Sequence, residues 1–439
     1  MRQMSTTDSR VLVLGAGVAG LTTAIALARR GIPVDVLEQD CTQAPRGRRE
    51  AGGWYRDCVP HAGLGHVFSP HCYRMLADEL PDVLARLLEL GARELSVSGS
   101  GEAAGALPAE GFGLAVRRPV FDWVLRRVAE REPGVRVHGG LPATGLQISG
   151  GRLSGVLVRG GVVATELTVD ATGGSGPVSG WLDDLGQRAR SVRLAEPRED
   201  PDTAAARAGA DHYTRCYALH WRDDPGPLNL GLAAGGEYGG YSCRLVPGDN
   251  HTFTVTFTVP AGALGDPTRP GRPEPAEPTA AGLVEPGLAA LCTPEGFQAA
   301  ARRLPLIADW VDPGVAEPLT GVTTLTVSPA RRGRAEDVMR LPGLIPVGDA
   351  LHAGDPSWCS GVAVALASAL ACARAVRARR DAGIVGAESD ANVAAVWTEV
   401  WAEAARVAGR PVCASARLPG PSARELAAWL TGSVPASVG

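Results

Sequence analysis

The sequence predicts a two-domain α/β protein: a Rossmann-like dinucleotide-binding unit, an inserted antiparallel sheet and a C-terminal run of helices. Three observations predict it. RVLVLGAGVAGLTTAIALARRGIPVDVLE, residues 10–38, reads as an apolar strand, a glycine-rich turn, a helix and a second strand ending in an acid. Residues 229–260 alternate polar and apolar around a Gly-Asp-Asn turn, as antiparallel strands do. GLIPVGD, residues 343–349, is a second short apolar run closing on Gly-Asp, and a small-residue helix follows it from Gly361.

The chain has 439 residues, room for two or three domains at about 150 residues each. Net charge is −4 with both signs interspersed, and no basic stripe points to nucleic acid. None of the 43 basic residues is lysine, so chemistry that needs an ε-amine, Schiff-base formation included, cannot run here. Nine cysteines form no CxxC pair and no even framework, which points to reduced thiols and a cytoplasmic location. The start, MRQMSTTDSR, is polar, with no apolar core of a leader. The longest apolar stretch, Gly361 to Val376, carries Arg374 and falls short of the ~20 residues of a membrane span, so it reads as a buried helix.

In chain order, Val11 to Leu14 is the first strand. Gly15 permits the tight turn, Gly17 lets backbone approach a pyrophosphate, and Gly20 lets the helix from about Ala19 to Arg30 pack on the strand. The free N–H groups of that helix suit an anion, and Glu38 at the end of strand Val34–Leu37 suits ribose hydroxyls. The pattern fits NAD or FAD. Arg74 to Ala92 has a helical pattern with a kink expected at Pro81. Arg118 opens another helix with Pro119 in its first turn, and Val135 to His138 reads as a strand. From Leu146 to Val169, β-rich runs separated by glycine pairs read as a hairpin meander ending in LTVDATGGSG. Residues 262–288, rich in Pro, Gly, Ala and Glu, read as an exposed insertion, and a helix is expected from about Asn392 to Ala408 with a short terminal helix after a Pro-rich linker.

Three separated pieces, GAGVAG with Glu38, DATG at 170–173 and Gly348-Asp349, together resemble the para-hydroxybenzoate-hydroxylase-like superfamily of FAD enzymes. Its members include aromatic hydroxylases, epoxidases, geranylgeranyl reductases and flavin halogenases. The likeness covers most of residues 10–375, and Arg56-x-x-Val59-Pro60 and Arg118-x-x-Phe121-Asp122 add to it. GGEYGGY and DATGGSGPVSGWL look closest to actinobacterial natural-product epoxidases and monooxygenases.

The resemblance implies one FAD lying across both junctions. Gly15, Ala16, Gly17, Val18, Ala19 and Gly20, with Glu38 and Gln39, would hold the ADP half. Thr172, Gly348 and Asp349 would meet the ribityl and pyrophosphate region. Pro356, Gly361 and Val362 would face the flavin ring, where a helix N-terminus favours the negative charge of reduced flavin. Arg118 and Arg56 would contact phosphates or ribityl. The FAD-binding domain would comprise residues 1–72, 105–180 and 330–380, the substrate domain 73–104 and 181–329, and the C-terminal helical segment 381–439.

Two departures bear on mechanism. Single-component hydroxylases of the superfamily carry an aspartate where this chain has Thr172, which favours reduced flavin from a separate flavin reductase over direct use of NAD(P)H. The usual Pro-x-x-Gly-x-Gly loop is replaced by Pro356-Ser357-Trp358-Cys359-Ser360-Gly361, which makes Trp358 and Cys359, with His352 beside them, the catalytic candidates. Tyr213, Tyr217, Tyr238 and Tyr241 on the second sheet are candidate substrate contacts. His61, His66 and His71 recur every five residues, a spacing that completes no metal set. The function implied is an FAD-dependent monooxygenase that hydroxylates or epoxidises a bulky secondary-metabolite intermediate through a flavin C4a-hydroperoxide. Halogenation is disfavoured, because the halogenases of this fold rely on a lysine. The alternatives are an FAD-dependent oxidase or dehydrogenase, or a flavin fold turned to non-redox catalysis or binding.

Overall fold

The computed structural model describes residues 10–98, 110–174, 176–184, 210–221, 224–228, 231–260, 286–327, 341–352, 360–382, 390–408, 418 and 420–431. The opening unit is β1 (Val11–Leu14), α1 (Val18–Ala28) and β2 (Val34–Glu38), followed by a single turn, α2 (Arg48–Ala51). Next come α3 (Pro70–Glu79), α4 (Pro81–Glu89) and the hairpin β3 (Arg93–Ser98) and β4 (Glu110–Ala115). After α5 (Arg118–Arg131) and β5 (Val135–Gly139) the chain forms the meander β6 (Ala143–Ser149), β7 (Arg152–Val158) and β8 (Gly161–Ala164), then β9 (Thr168–Asp170) and α6 (Val178–Asp184). The second half holds β10 (Ala210–Leu219), β11 (Ala234–Tyr238), β12 (Tyr241–Pro247), β13 (Thr252–Pro260), α7 (Pro294–Ala301), β14 (Ala316–Pro318) and β15 (Thr323–Val327). It closes with β16 (Leu344–Pro346), α8 (Gly361–Asp381), α9 (Asp390–Ala408) and α10 (Ala423–Leu430).

Five strands form a parallel sheet in the order β16-β9-β1-β2-β5. Because side chains alternate along a strand, Val11 and Val13 of β1 pack with α1, α5 and α8, while Leu12 and Leu14 pack with Leu146, Leu153 and Val156 of the meander. Both faces are covered, which is why β1 is apolar at every position. The helix on the first fingerprint ends as expected at Gly31, whose φ of +74° suits a residue without a Cβ.

Residues 74–92 form two helices, not the one kinked helix the sequence suggested. Leu80, at φ −137° and ψ 51°, breaks the run, and Pro81 opens the second helix where its missing N–H is not needed. Their apolar positions, Leu76, Leu80, Val83 and Leu87, join the core beside the parallel sheet. Residues 73–92 therefore pack with the nucleotide-binding unit, although sequence reasoning assigned them to the substrate domain.

The second sheet runs β11-β12-β13-β10, with β14 and β15 both pairing antiparallel with β10. Its core gathers Phe253, Phe257, Phe297 and Trp310. The C-terminal helices divide between the two cores. α9 lies along α8. α10 closes the second core through Leu426, and its approach is tied down by Leu418 N–H to Glu237 O at 3.0 Å and Ala423 N–H to Gly239 O at 2.7 Å. Among the described helices, Gly361–Asp381 is the one long and apolar enough to cross a membrane, and most of its apolar length is packed inside protein. The insertion expected at 262–288 lies largely outside the described residues.

Candidate functional site

The site is built from the ends of four strands, β1, β2, β9 and β16, and the starts of two helices, α1 and α8. At the end of β1, Gly15 adopts φ +98°, and a Cβ there would stand 2.6 Å from Ala171 O, next to the end of β9. A Cβ at Gly20 would collide with the carbonyl of Gly15. Gly17, which caps α1 in an extended conformation, would carry a Cβ with no protein atom within 4 Å. Two of the three glycines are therefore required by the protein itself, and the third keeps space open in front of the helix N-terminus.

The end of β9 reaches the same place. Asp170 Oδ1 accepts hydrogen bonds from Thr172 N (3.0 Å) and Thr172 Oγ1 (2.7 Å), a local turn that sets Thr172 beside Gly15. Burial raises the Asp170 carboxyl pKa, with the Thr172 bonds working against it. At the end of β2, Glu38 is buried, and its two oxygens accept from Ala16 N at 2.6 Å and Asp40 N at 2.8 Å. A carboxylate oxygen has more than one lone pair, so Glu38 braces the glycine loop and can still receive ribose hydroxyls. Gln39 is exposed at the rim, while Ala16, Val18 and Ala19 are buried behind the loop.

Gly348 brings the second junction to the first. Its φ is +60°, and a Cβ would stand 2.8 Å from the Ala19 side chain of α1 and 3.8 Å from that of Ala365 on α8. Its N–H is held by Ser368 Oγ at 2.9 Å, which in turn donates to Val364 O at 2.7 Å. Asp349 follows on the cleft wall. It is solvent-accessible but protein surrounds it, and the loss of bulk water raises its carboxyl pKa while Arg118 pulls the other way. Val362 is buried, Gly361 is exposed with open space where a Cβ would be, and Ser360 makes no side-chain cap at the N-terminus of this 21-residue helix.

Arg56 and Arg118 converge on one carboxylate that sequence reasoning did not single out. Arg118 Nε donates to Asp122 Oδ1 at 2.7 Å, and Arg56 Nη2 donates to Asp122 Oδ2 at 3.1 Å. All three side chains are buried, and Arg56 also reaches Ala16 O in the glycine loop at 3.2 Å. Burial pushes the Asp122 carboxyl up, but Arg118 and then Arg56 hold it below its ordinary value. Two guanidiniums on one carboxylate leave a net positive charge beside the loop, which an anion would balance. Arg56 stacks over Trp54 at 4.9 Å, and the buried Trp54 Nε1–H has no partner among the described residues. The signal for Asp122 was present in the sequence as the i, i+4 spacing from Arg118.

Other candidates stand elsewhere. Tyr213, Tyr217, Tyr238 and Tyr241 are buried inside the second core, not on a substrate wall. Tyr217 Oη donates to Gln298 Oε1 at 2.9 Å, and Tyr241 Oη donates to Pro421 O at 3.0 Å. Alternation along the strands turned these rings inward, where aromatic neighbours pack them. His352 is half-buried after Gly348, its ring 6.4 Å from that of Trp401. Pro356, Trp358 and Cys359 lie outside the described residues. His61 and His66 face each other at 5.8 Å, and among the described residues no cluster of His, Cys, Asp and Glu has the make-up of a metal site.

Residues 10–95 match the family described as FAD dependent oxidoreductase. Across the whole chain the structure is similar to PqsL, a probable FAD-dependent monooxygenase from Pseudomonas aeruginosa, with a TM-score of 0.57, 17% identity and coverage of 92% of this chain and 93% of that one. The fold is that of FAD-dependent monooxygenases. It is also similar to the flavin-dependent brominase Bmp2 as a triple mutant (TM-score 0.55, 16% identity, 88% and 84% covered). A geranylgeranyl bacteriochlorophyll reductase-like protein from Thermoplasma acidophilum matches with a TM-score of 0.54 at 15% identity, over 96% and 90% of the two chains. No curated protein matches the chain by sequence. Residues 10–95 thus match an FAD dependent oxidoreductase model, within a fold shared with these flavin enzymes.

The residues present fit FAD. The open space before Gly17 and the buried cationic pair suit an ADP diphosphate, the brace at Glu38 its ribose, and the N-terminus of α8, where Ser360 makes no side-chain cap, an electron-rich ring.

Proposed function

We propose that this chain is an FAD-dependent monooxygenase that adds one oxygen atom to a bulky secondary-metabolite intermediate, by hydroxylation or epoxidation. The observation that carries the reading is the close approach of Gly348 to α1, where a Cβ on Gly348 would stand 2.8 Å from the Ala19 side chain, which sets the α8 junction against the glycine-loop helix so that one extended cofactor can lie across both. Bound FAD, given two electrons by NAD(P)H or by a separate reductase, supplies the activation of O2, one atom going to substrate and the other to water.

The chain's own residues bind, neutralise and shield. The α1 N-terminus and the Arg56–Asp122–Arg118 unit hold the diphosphate, Glu38 the ribose, and Asp349 a ribityl hydroxyl. The α8 N-terminus favours negative charge on the reduced ring, by about 0.3–2 kcal/mol for such a helix end. Thr172, standing where single-component hydroxylases carry aspartate, supports reduction by a separate reductase. Halogenation, the activity named for some neighbours, would have to proceed without any lysine. A cytoplasmic location with a small-molecule substrate and a flavin reductase as partner completes the reading.

The test is the absorbance spectrum of purified protein with FAD, before and after anaerobic NADPH or NADH, with and without a flavin reductase. The expected result is a bound-flavin spectrum bleached only when the reductase is present. Bleaching by the pyridine nucleotide alone would overturn the two-component part. Protein that is colourless and has no affinity for FAD would overturn the whole reading.

A further inference from the structure

We propose that His66 binds substrate, its Nε2 accepting a hydrogen bond from a hydroxyl or phenol at the floor of a pocket between the two cores. The proposal rests on the monooxygenase reading and adds a substrate class to it.

The pocket lies where the turn at residues 62–66 and the start of α5 meet the second sheet, and it is lined from both sides. Leu64, Val116 and Val246 supply apolar wall, and Cys216 and Thr254 come from the sheet. It encloses about 20 Å³, room for about one water-sized group, so its floor takes a hydroxyl and not a whole ring. Tyr55, 51% exposed, stands on its open side as a surface for an apolar body.

Chemistry selects the acceptor. His66 Nδ1 is 2.9 Å from Leu64 O. A carbonyl only accepts, so Nδ1 carries the hydrogen and Nε2 of the neutral ring is left with its lone pair. Burial and the positive charge of Arg118 keep His66 neutral, with the neighbouring His61 acting in the same direction and Asp122 opposing. Arg117, the cation in the pocket lining, is already committed: Nε and Nη2 donate to Asp249 at 3.0 and 2.8 Å. With that charge balanced, the pocket has no free cation among its described lining residues to hold a carboxylate. It offers an acceptor for a neutral O–H, whose hydrogen bond is otherwise lost when water is shut out.

The probes are 4-nitrophenol and 4-nitroanisole, alike in shape but differing in the donor hydrogen. Binding is measured by difference absorbance below the pKa of the phenol, and FAD affinity separately by flavin fluorescence. Wild type is expected to prefer the phenol about tenfold, the worth of one hydrogen bond. His66→Phe should remove the preference, and His66→Asn, whose amide oxygen also accepts, should keep part of it. An unchanged preference in His66→Phe, or no binding of the phenol to wild type, overturns the proposal. A preserved phenol preference in protein that never binds FAD would sink the monooxygenase reading and leave the pocket assignment standing.

Discussion

Gly17→Ala separates the cofactor from the fold. Gly17 sits at φ −82° and ψ −172°, a conformation alanine adopts without strain, and the added methyl meets no protein atom within 4 Å. Such a replacement stabilises a folded chain by about 0.4–1 kcal/mol, because the unfolded chain loses freedom. The methyl instead fills the approach to the first N–H groups of α1, where a diphosphate must come to ordinary hydrogen-bond distance. Losing two bonds to a charged ligand, at about 1.5–3 kcal/mol each, weakens FAD by roughly two to four powers of ten. The assay pairs urea unfolding of the apoprotein with an FAD titration followed by flavin fluorescence. The expected outcome is an unfolding midpoint equal to or above that of the parent, with FAD affinity collapsed. Gly20→Ala, whose Cβ would collide with the carbonyl of Gly15, should lose both stability and affinity. If Gly17→Ala bound FAD as tightly as the parent, the reasoning that places the diphosphate at this helix would be refuted.

Asp122→Asn should destabilise the apoprotein by about 3–5 kcal/mol in urea, because Arg56 and Arg118 would remain buried without their carboxylate; added FAD should restore part of the loss, and an unshifted midpoint would show that the three groups are not coupled. His61 and His66 should make stability fall on acidification: burial and Arg118 lower both, His61 to about 4 from 6.5, so the unfolded chain takes up their protons first. Stability is then lost as pH drops from 6.5 toward 4, by at most about 1.4 kcal/mol per pH unit for each histidine. Replacing His61 with Phe should flatten the slope in that window, and an identical slope would contradict the assignment.

What could be read from the chain alone was local. The strand–turn–helix at 10–38, the meander ending in DATG, and the strand and helix around Gly348 and Gly361 each follow from a period or a turn residue within one short segment. Glycine at 15 and 20, the acid at 38 and the alanine-rich α8 stand as expected for the same reason. Two features were not legible. Strand β10 alternates poorly, and becomes a strand because β13, β14 and β15 all pair with it. The four tyrosines looked like a substrate wall, but which face of a strand is buried depends on the layer packed against it.

By itself, then, the sequence determined that two strand–turn–helix junctions exist, because backbone freedom and helix ends are set by neighbours in the chain. Only the tertiary structure decided that those junctions touch, that Asp122 holds Arg56 across 66 residues, and that Asp249 holds Arg117 across 132. Charge partners and pocket walls are chosen by distance in space, and no local pattern encodes which of many arginines will meet which acid.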